Sequence, residues 1–287
     1  MIEYKQFKKL DSEYVLSRII FFLQEDIPDG DKTTLGTVAH DEKVTAEIQA
    51  VESLVFSGSE VIPHCFADNS EINLTAKDGD ELNAGDIIGQ ITGMASDILS
   101  RERVMLNLIQ RLCGIATQTK VYAELAKPYG IKILDTRKTT PGLRLLEKYA
   151  VTCGGGYNHR SNLSEGILIK DNHLKAAGSV KIAVENMRKT DFSLPIELEV
   201  DTPAQIKEGL LVGVDGFLLD NMDPEQIREA LDIIRYYPGG EGIFVEASGG
   251  ITLENIQGYL NTDVNAISVG ALTHQIKSRD IRLEFLS

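Results

Sequence analysis

The chain has 287 residues, and its 43 Asp+Glu against 29 Lys+Arg leave a net charge of −14, which excludes a generally basic nucleic-acid binder or a protein drawn to anionic membranes. With 43% hydrophobic and 25% charged residues and 8 prolines, it is a folded protein of one large or two small domains, not a disordered or fibrous one. Cys65, Cys113 and Cys153 are odd in number, far apart and without a C-x-x-C pair, so neither a disulfide framework nor a zinc knuckle is expected and the chain reads as reduced and cytoplasmic.

Val15, Leu16, Ile19, Ile20 and Leu23 recur at helical spacing and predict an amphipathic helix ending near Asp26-Ile27-Pro28. Arg18 interrupts this stretch, which is unlike a signal peptide or a membrane span. Residues 30–34 read as a loop. From 44 to 93 the pattern has period two, with Val44, Ala46, Ile48 and Ala50 on one face and turns at Gly79-Asp80 and Gly85-Asp86, which predicts a small β-rich unit. Residues 96–129 read as helical, with Ser96 as N-cap and Gly114 as a break between two helices.

Beyond Gly130, short apolar runs alternate with helical windows. The runs cover 131–134, 166–169, 196–200, 216–219, 243–247 and 266–269, with a weaker one at 149–152, and the clearest helical windows cover 203–211, 224–234 and 252–260. Strands apolar on both faces, each followed by a helix, predict a parallel sheet covered by helices. The fold class expected is α/β: an incomplete six- or seven-stranded TIM-like barrel at 114–274 behind an N-terminal α+β sandwich domain at 1–113, with the tail 275–287 packing on the first domain.

Polar residues end nearly every run: Asp135-Thr136-Arg137-Lys138, Lys170-Asp171-Asn172-His173, Glu199, Asp220-Asn221, Glu246 with Ser248-Gly249-Gly250, and Gly270. Any one of these is ordinary loop chemistry, but in such a barrel the carboxyl ends of the strands share one mouth, where active sites form. Residues 135–175 hold seven Lys/Arg against four Asp/Glu within this acidic chain. Arginines grip carboxylate or phosphate through two parallel N–H bonds and lysine adds a point charge, so the mixture suits a ligand with several anionic groups. Lys148 and Lys175 are assigned instead to i,i+4 surface pairs. Ser248-Gly249-Gly250 and Gly270 would let backbone N–H groups approach a phosphate, and Gly154-Gly155-Gly156 would carry His159 and Arg160 into the mouth. Glu199 and Asp220 would hold a divalent cation through water, hydrogen-bond sugar hydroxyls or form a hydrolytic pair; the spacing does not separate these. His159 and His173 have no paired metal-ligand motif around them.

The strings 135–142 (DTRKTTPG), 154–160 (GGGYNHR), 168–173 (LIKDNH), 219–222 (LDNM), 246–251 (EASGGI) and 268–274 (SVGALTH), with Glu25-Asp26, Gly30-Asp31, Glu102-Arg103 and Leu106-Asn107 before them, together resemble the quinolinate phosphoribosyltransferases over nearly the whole chain. The resemblance implies transfer of the phosphoribosyl group of phosphoribosyl pyrophosphate to quinolinate with Mg²⁺, release of pyrophosphate and CO₂, formation of nicotinate mononucleotide for NAD synthesis, and a homodimer or an assembly of dimers. It also implies that Arg137, His159, Arg160 and Lys170 hold the two quinolinate carboxylates, with Arg103 from the neighbouring subunit. Thr136, Lys138, Glu199, Asp220, Ser248, Gly249, Gly250, Val269, Gly270 and Ala271 would line the phosphoribosyl side, with His274 close by and Lys138, Glu199 and Asp220 in the catalytic roles.

Three rival readings carry distinct chemistry. Lys138 or Lys170 at a strand end would suit a Schiff-base lyase; a related barrel phosphoribosyltransferase would share the phosphate side and differ in acceptor. Residues 74–93 look like part of a biotinyl or lipoyl carrier, but no lysine lies between Lys77 and Arg101, so this segment is read as scaffold.

Overall fold

A computed structural model describes residues 2–190 and 193–286, and the chain divides into two compact units. One comprises Phe7–Lys120, Leu145–Gly155 and the residues from Gln275 onward; the other comprises the residues up to Gln6, Val121–Arg144 and Gly156–His274.

In the first unit, helix α1 (Ser12–Asp26) is capped by the Asp11 side chain, which accepts from the Tyr14 amide, and buries Val15, Ile19 and Leu23, the face expected from the spacing. The segment read as a loop at 30–34 instead starts helix α2 (Lys32–Thr37): the Asp31 carboxylate accepts from the Thr33 and Thr34 amides, a capping signal with only one turn behind it. Strands β1 (Lys43–Ala50), β2 (Leu54–Val55), β3 (Glu71–Leu74), β4 (Glu81–Leu82) and β5 (Ile87–Met94) follow. Ala46, Ile48 and Ala50 are buried, as the period of two predicted. The tail returns as a strand, Ile281–Phe285, antiparallel to β1 on the edge opposite β5.

Helix α3 (Ala95–Ala126) runs unbroken through Gly114. A Cβ there would lie 2.4 Å from the Lys277 carbonyl oxygen, so the glycine serves close approach of the tail rather than a helix break. Gly114→Ala is expected to cost about 1–3 kcal/mol through overpacking, despite alanine's better helix propensity. A thermal-unfolding midpoint equal to or above that of the unsubstituted chain would refute this account.

The second unit holds β6 (Lys132–Leu134), β7 (Ile167–Ile169), β8 (Ile196–Val200), β9 (Gly216–Asp220), β10 (Phe244–Ser248) and β11 (Ala266–Ser268). These form one parallel sheet in the order β6-β11-β10-β9-β8-β7. That is the wrapped order of a βα barrel in which β11 closes back onto β6 while β6 and β7 stay unpaired, an incomplete TIM-like barrel open along that seam. Between the strands, in chain order, come α4 (Arg144–Cys153), α5 (Asp171–Ala177), α6 (Val180–Arg188), α7 (Pro203–Val212), α8 (Pro224–Arg235), α9 (Ile256–Leu260) and, after the sheet, α10 (Ala271–His274). Thr202 and Asp223 form capping boxes with Gln205 and Gln226 at two of these helix starts.

Three expectations are corrected. The weak run at 149–152 is part of α4, because Leu146, Tyr149 and Ala150 bury one helical face. Lys148 on that helix is buried, not surface-paired, whereas Lys175 pairs with Asp171 at 2.8 Å on the surface as read. The helical window at 252–260 shortens to α9, preceded by turns.

Candidate active site

Strand alternation sorts the barrel side chains into inward and outward sets. A Cβ on Gly209 of α7 would meet Phe217 at 2.6 Å and Leu198 at 2.9 Å, so these two point outward to the helices. Glu197 and Glu199 on β8 therefore point inward, with Leu218 and Asp220 on β9. Register places Glu199 opposite Leu218, and Asp220 opposite Ser248, which in turn faces Ser268. The top inward layer is polar: the Lys170 ammonium pairs with Glu199, the Asn221 amide side chain donates to Asp220 at 2.7 Å, and Ser268 donates to Ser248 at 2.9 Å.

Loops beyond the strands complete the mouth. Gly249 and Gly250 adopt φ of +94° and +61°, a left-handed corner of the kind that side-chain-bearing residues rarely adopt. At Gly270 an added Cβ would lie 3.0 Å from Lys138 Cδ and 3.1 Å from His274 Cε1, which puts both Lys138 and His274 against the backbone just past β11. Lys138 is held by its backbone: its amide donates to Thr136 Oγ1 at 3.0 Å, and its carbonyl accepts from Thr273 at 2.7 Å. Arg160 is buried, donates through one terminal nitrogen to the Gly166 carbonyl at 2.7 Å, and keeps its Nε without a partner; the buried Nε of Arg137 also has none. Burial, then the neighbouring Arg137 charge, lowers the Arg160 pKa. Two arginines close enough to feel each other, each with an orphaned buried donor, form a site poised for an anion.

Beneath this layer lies a buried cluster: His159 Nε2 is 3.6 Å from Glu197 and 3.5 Å from Glu246. Glu246, read from the sequence as a strand-end residue, is corrected to this interior layer, one inward position below Ser248. One oxygen of Glu197 finds no hydrogen-bond partner, and the Glu246 carboxylate has only the Ser268 hydroxyl to lower its pKa by a hydrogen bond. Burial pushes the Glu197 carboxyl up to about 7, and burial, then the Glu197 charge, raises Glu246 well above the usual carboxylate range. The donor set His/Glu/Glu has the composition of a cation site, but His159 Nδ1 accepts from the Arg160 amide at 2.8 Å. The ring proton must then sit on Nε2, on the side where a metal would bind, the reverse of the orientation of a ligating histidine.

A carboxyl whose folded pKa is raised adds stability below its unfolded pKa near 4.5 and loses it as pH rises through the folded value. Glu197→Gln is therefore expected to flatten a decline in unfolding free energy, on the order of 1–3 kcal/mol, between pH 5 and pH 7. Urea titrations at the two pH values measure it; an unchanged slope would count against the cluster's protonation.

The barrel unit thus gathers Thr136, Arg137, Lys138, Lys170, Glu199, Asp220, Ser248, Gly249, Gly250, Val269, Gly270, Ala271 and His274 at the strand ends and the loops directly after them, with His159 and Arg160 in the segment between α4 and β7. His159 is placed lower than its neighbours, with both ring nitrogens facing protein groups. The Val269 amide already donates to the Leu134 carbonyl. Arg103 lies exposed on α3, in the other unit. Sequence reasoning did not pick out Tyr4, Gln6 or Glu197, and it named Asp135 and Asn158 only as members of motif strings, without a role. For Glu197 a signal existed, since acids two apart in an apolar strand, Glu197 and Glu199, must share one face.

Comparison with known proteins bears on both units. Residues 115–284 match the family model described as quinolinate phosphoribosyl transferase, C-terminal domain, and residues 31–113 match the N-terminal domain of the same family. The chain is 45% identical over 268 residues, 92% of this chain and 90% of the relative, to a probable nicotinate-nucleotide pyrophosphorylase (carboxylating) of Bacillus subtilis. A relative of the same description from Methanothermobacter thermautotrophicus is 38% identical over 91% of this chain and 95% of its own length. The solved nicotinate-nucleotide pyrophosphorylase of Francisella tularensis superposes with a TM-score of 0.92 at 35% identity, covering 99% of this chain and 100% of that one. A human nicotinic acid phosphoribosyltransferase, at 12% identity and a TM-score of 0.57, shares the fold alone. With both domain models matched in order and such identity over nearly the full length, the chain belongs to the quinolinate phosphoribosyltransferase family.

Proposed function

We propose that this chain transfers the phosphoribosyl group of phosphoribosyl pyrophosphate to quinolinate, releasing pyrophosphate and CO₂ and giving nicotinate mononucleotide. The observation that carries the reading is the meeting, at one barrel mouth, of Arg137, Arg160 and Lys170 with the Gly249–Gly250 corner and the Lys138–Gly270 contact. The first group suits a planar dianion; the second suits phosphate. The names and identity of the relatives support the same reaction.

Quinolinate's ring nitrogen attacks the ribose C1 as pyrophosphate leaves, a step in which alignment and charge stabilisation supply most of the acceleration. Arg137, Arg160 and Lys170 hold the two carboxylates, with His159 beneath them, and thereby aim the nitrogen. Glu199 and Asp220 face the positive charge that develops on the sugar, and Lys138 faces the leaving group. Thr136, Ser248, Gly249, Gly250, Val269, Gly270, Ala271 and His274 line the phosphate side. The oxygens of Glu199 and Asp220 suit Mg²⁺, held through water, and the ion when bound supplies positive charge to the pyrophosphate. The bond from the ring to the 2-carboxylate then breaks, its electron pair drawn by the cationic ring, and the carbon takes a proton.

A homodimer belongs to this reading, with the exposed Arg103 of one subunit reaching the carboxylates bound by the other. So does a cytoplasmic location, in keeping with three free cysteines.

The test is incubation with quinolinate, phosphoribosyl pyrophosphate and Mg²⁺, with nicotinate and nicotinamide in parallel. Nicotinate mononucleotide and CO₂ from quinolinate alone are expected. Equal product from nicotinate would overturn the acceptor assignment, because Arg137, Arg160 and Lys170 would then be answering a single carboxylate.

A further inference from the structure

The first residues of the chain run into the barrel unit and touch the acceptor-side loop from below. Ile2 packs with Leu134, Phe244 and Ala266, beside Tyr4. Glycines make room for it at two strand starts: a Cβ on Gly216 would lie 2.6 Å from Ile2 Cδ1, and one on Gly166 would lie 2.7 Å from Tyr4 Cε1. The Tyr4 ring stacks on His159, with centroids 4.4 Å apart and planes at 21°, and its hydroxyl donates to Glu197 at 2.7 Å. Burial, then the Glu197 charge, keeps that phenol protonated.

Gln6 does more than pack. Its side-chain oxygen accepts from the Asn158 amide at 2.9 Å, and its side-chain nitrogen donates to the Asn158 carbonyl at 3.1 Å. A primary amide that meets both backbone groups of one residue imitates the peptide of a neighbouring strand. It does so at the seam where β6 and β7 fail to pair: Tyr157 bridges Leu134, and Asn158, the next residue, has Gln6 in place of a strand. From there the bonds are continuous. Asp135 accepts from the Asn158 side chain at 2.6 Å and from the His159 amide at 2.9 Å; His159 accepts from the Arg160 amide at 2.8 Å; and Arg160 reaches the mouth.

We infer that Tyr4 and Gln6 are positioning residues for the acceptor side of the active site, with the Gln6 amide standing in for the missing strand at the barrel seam and fixing Asn158-His159-Arg160 from beneath. The inference rests on the proposed reaction for its kinetic consequence, and on the hydrogen bonds alone for its structural one. Its specific content is asymmetry: the Gln6 hydrogen bonds and the Tyr4 stacking fall on the loop that carries Arg160, while Lys138 and Asp220 are held by Thr136, Thr273 and Asn221. Loosening it should weaken quinolinate and spare phosphoribosyl pyrophosphate.

Gln6→Ala, which removes both bonds to Asn158, is expected to raise KM for quinolinate about tenfold, as two hydrogen bonds of modest net strength would, while KM for phosphoribosyl pyrophosphate stays within about twofold. Tyr4→Phe keeps the stacking and should show a smaller rise than Gln6→Ala. Equal changes in both KM values, or none, would overturn the inference, as would a Tyr4→Phe variant as impaired in quinolinate binding as Gln6→Ala. Amide hydrogen exchange in the intact protein separates this outcome from a failure of the assigned reaction: faster exchange at 158–160 in Gln6→Ala, with exchange in β8 and β9 unchanged, supports the strap even if the wild-type protein proves inactive on quinolinate. Unchanged exchange at 158–160 rejects it whatever the activity.

Discussion

Arg137→Ala is expected to lower kcat/KM for quinolinate by about 10²–10³, equivalent to roughly 3–4 kcal/mol, with the fold intact. The size follows from what Arg137 leaves behind. It follows β6 directly, its Nε is buried without a partner, and its charge is felt by Arg160. A buried donor without a partner is costly in the free protein, so a dianion that meets both arginines gains the new bonds and also relieves that cost and the repulsion between two cations. Alanine removes one arm of the grip, and the remaining charge cannot align a planar acid in line with the ribose carbon. Arg137→Lys keeps the charge without the two-pronged geometry and should recover only part of the loss. Steady-state kinetics with circular dichroism as a fold control decide the matter; an alanine variant with wild-type kcat/KM for quinolinate would falsify the acceptor assignment.

Gly249→Ala is expected to raise KM for phosphoribosyl pyrophosphate by about 10²-fold, against a much smaller effect of Gly250→Ala one residue on. Both glycines are left-handed, at φ of +94° and +61°, so an L-residue at either position pays backbone strain of roughly 1–2 kcal/mol. The surroundings separate them. A Cβ on Gly249 would stand 2.2 Å from Asn221 Oδ1 and 2.9 Å from the Asn221 amide nitrogen, whereas one on Gly250 meets nothing within 4 Å. Asn221 cannot give way freely: its amide donates to the Ser248 carbonyl at 2.8 Å, its side chain donates to Asp220, and its own φ is +54°. Alanine at 249 would thus push on Asp220 as well as the glycine corner. Equal effects of the two substitutions would mean that strain alone, and not the contact with Asn221, governs this side of the mouth.

Much of the fold was legible because both repeating patterns leave strong marks. Alternating burial in β1 came from Ala46, Ile48 and Ala50, and the six barrel strands came from apolar runs each ended by a polar residue. Misreadings fell where a local signal has two physical causes. Gly114 weakens a helix in isolation, yet here it is the contact surface for the Lys277 carbonyl; the run at 149–152 suits a strand by composition and a helix by the company of Leu146. Asp31 caps a helix too short to show a period.

The sequence by itself determined the alternation of strand and helix, the residue types at each strand end, and the family, because these depend on neighbours within a few positions and on ordered motifs. Only the tertiary structure decided which of those residues meet. That Glu246 joins Glu197 and His159 inside the barrel, that two arginines keep bare Nε donors in one mouth, and that Gln6 fills the seam beside Asn158 152 residues later are consequences of strand register and closure. Register is set by packing over the whole sheet, a sum of contacts between distant segments that no local window of the chain contains.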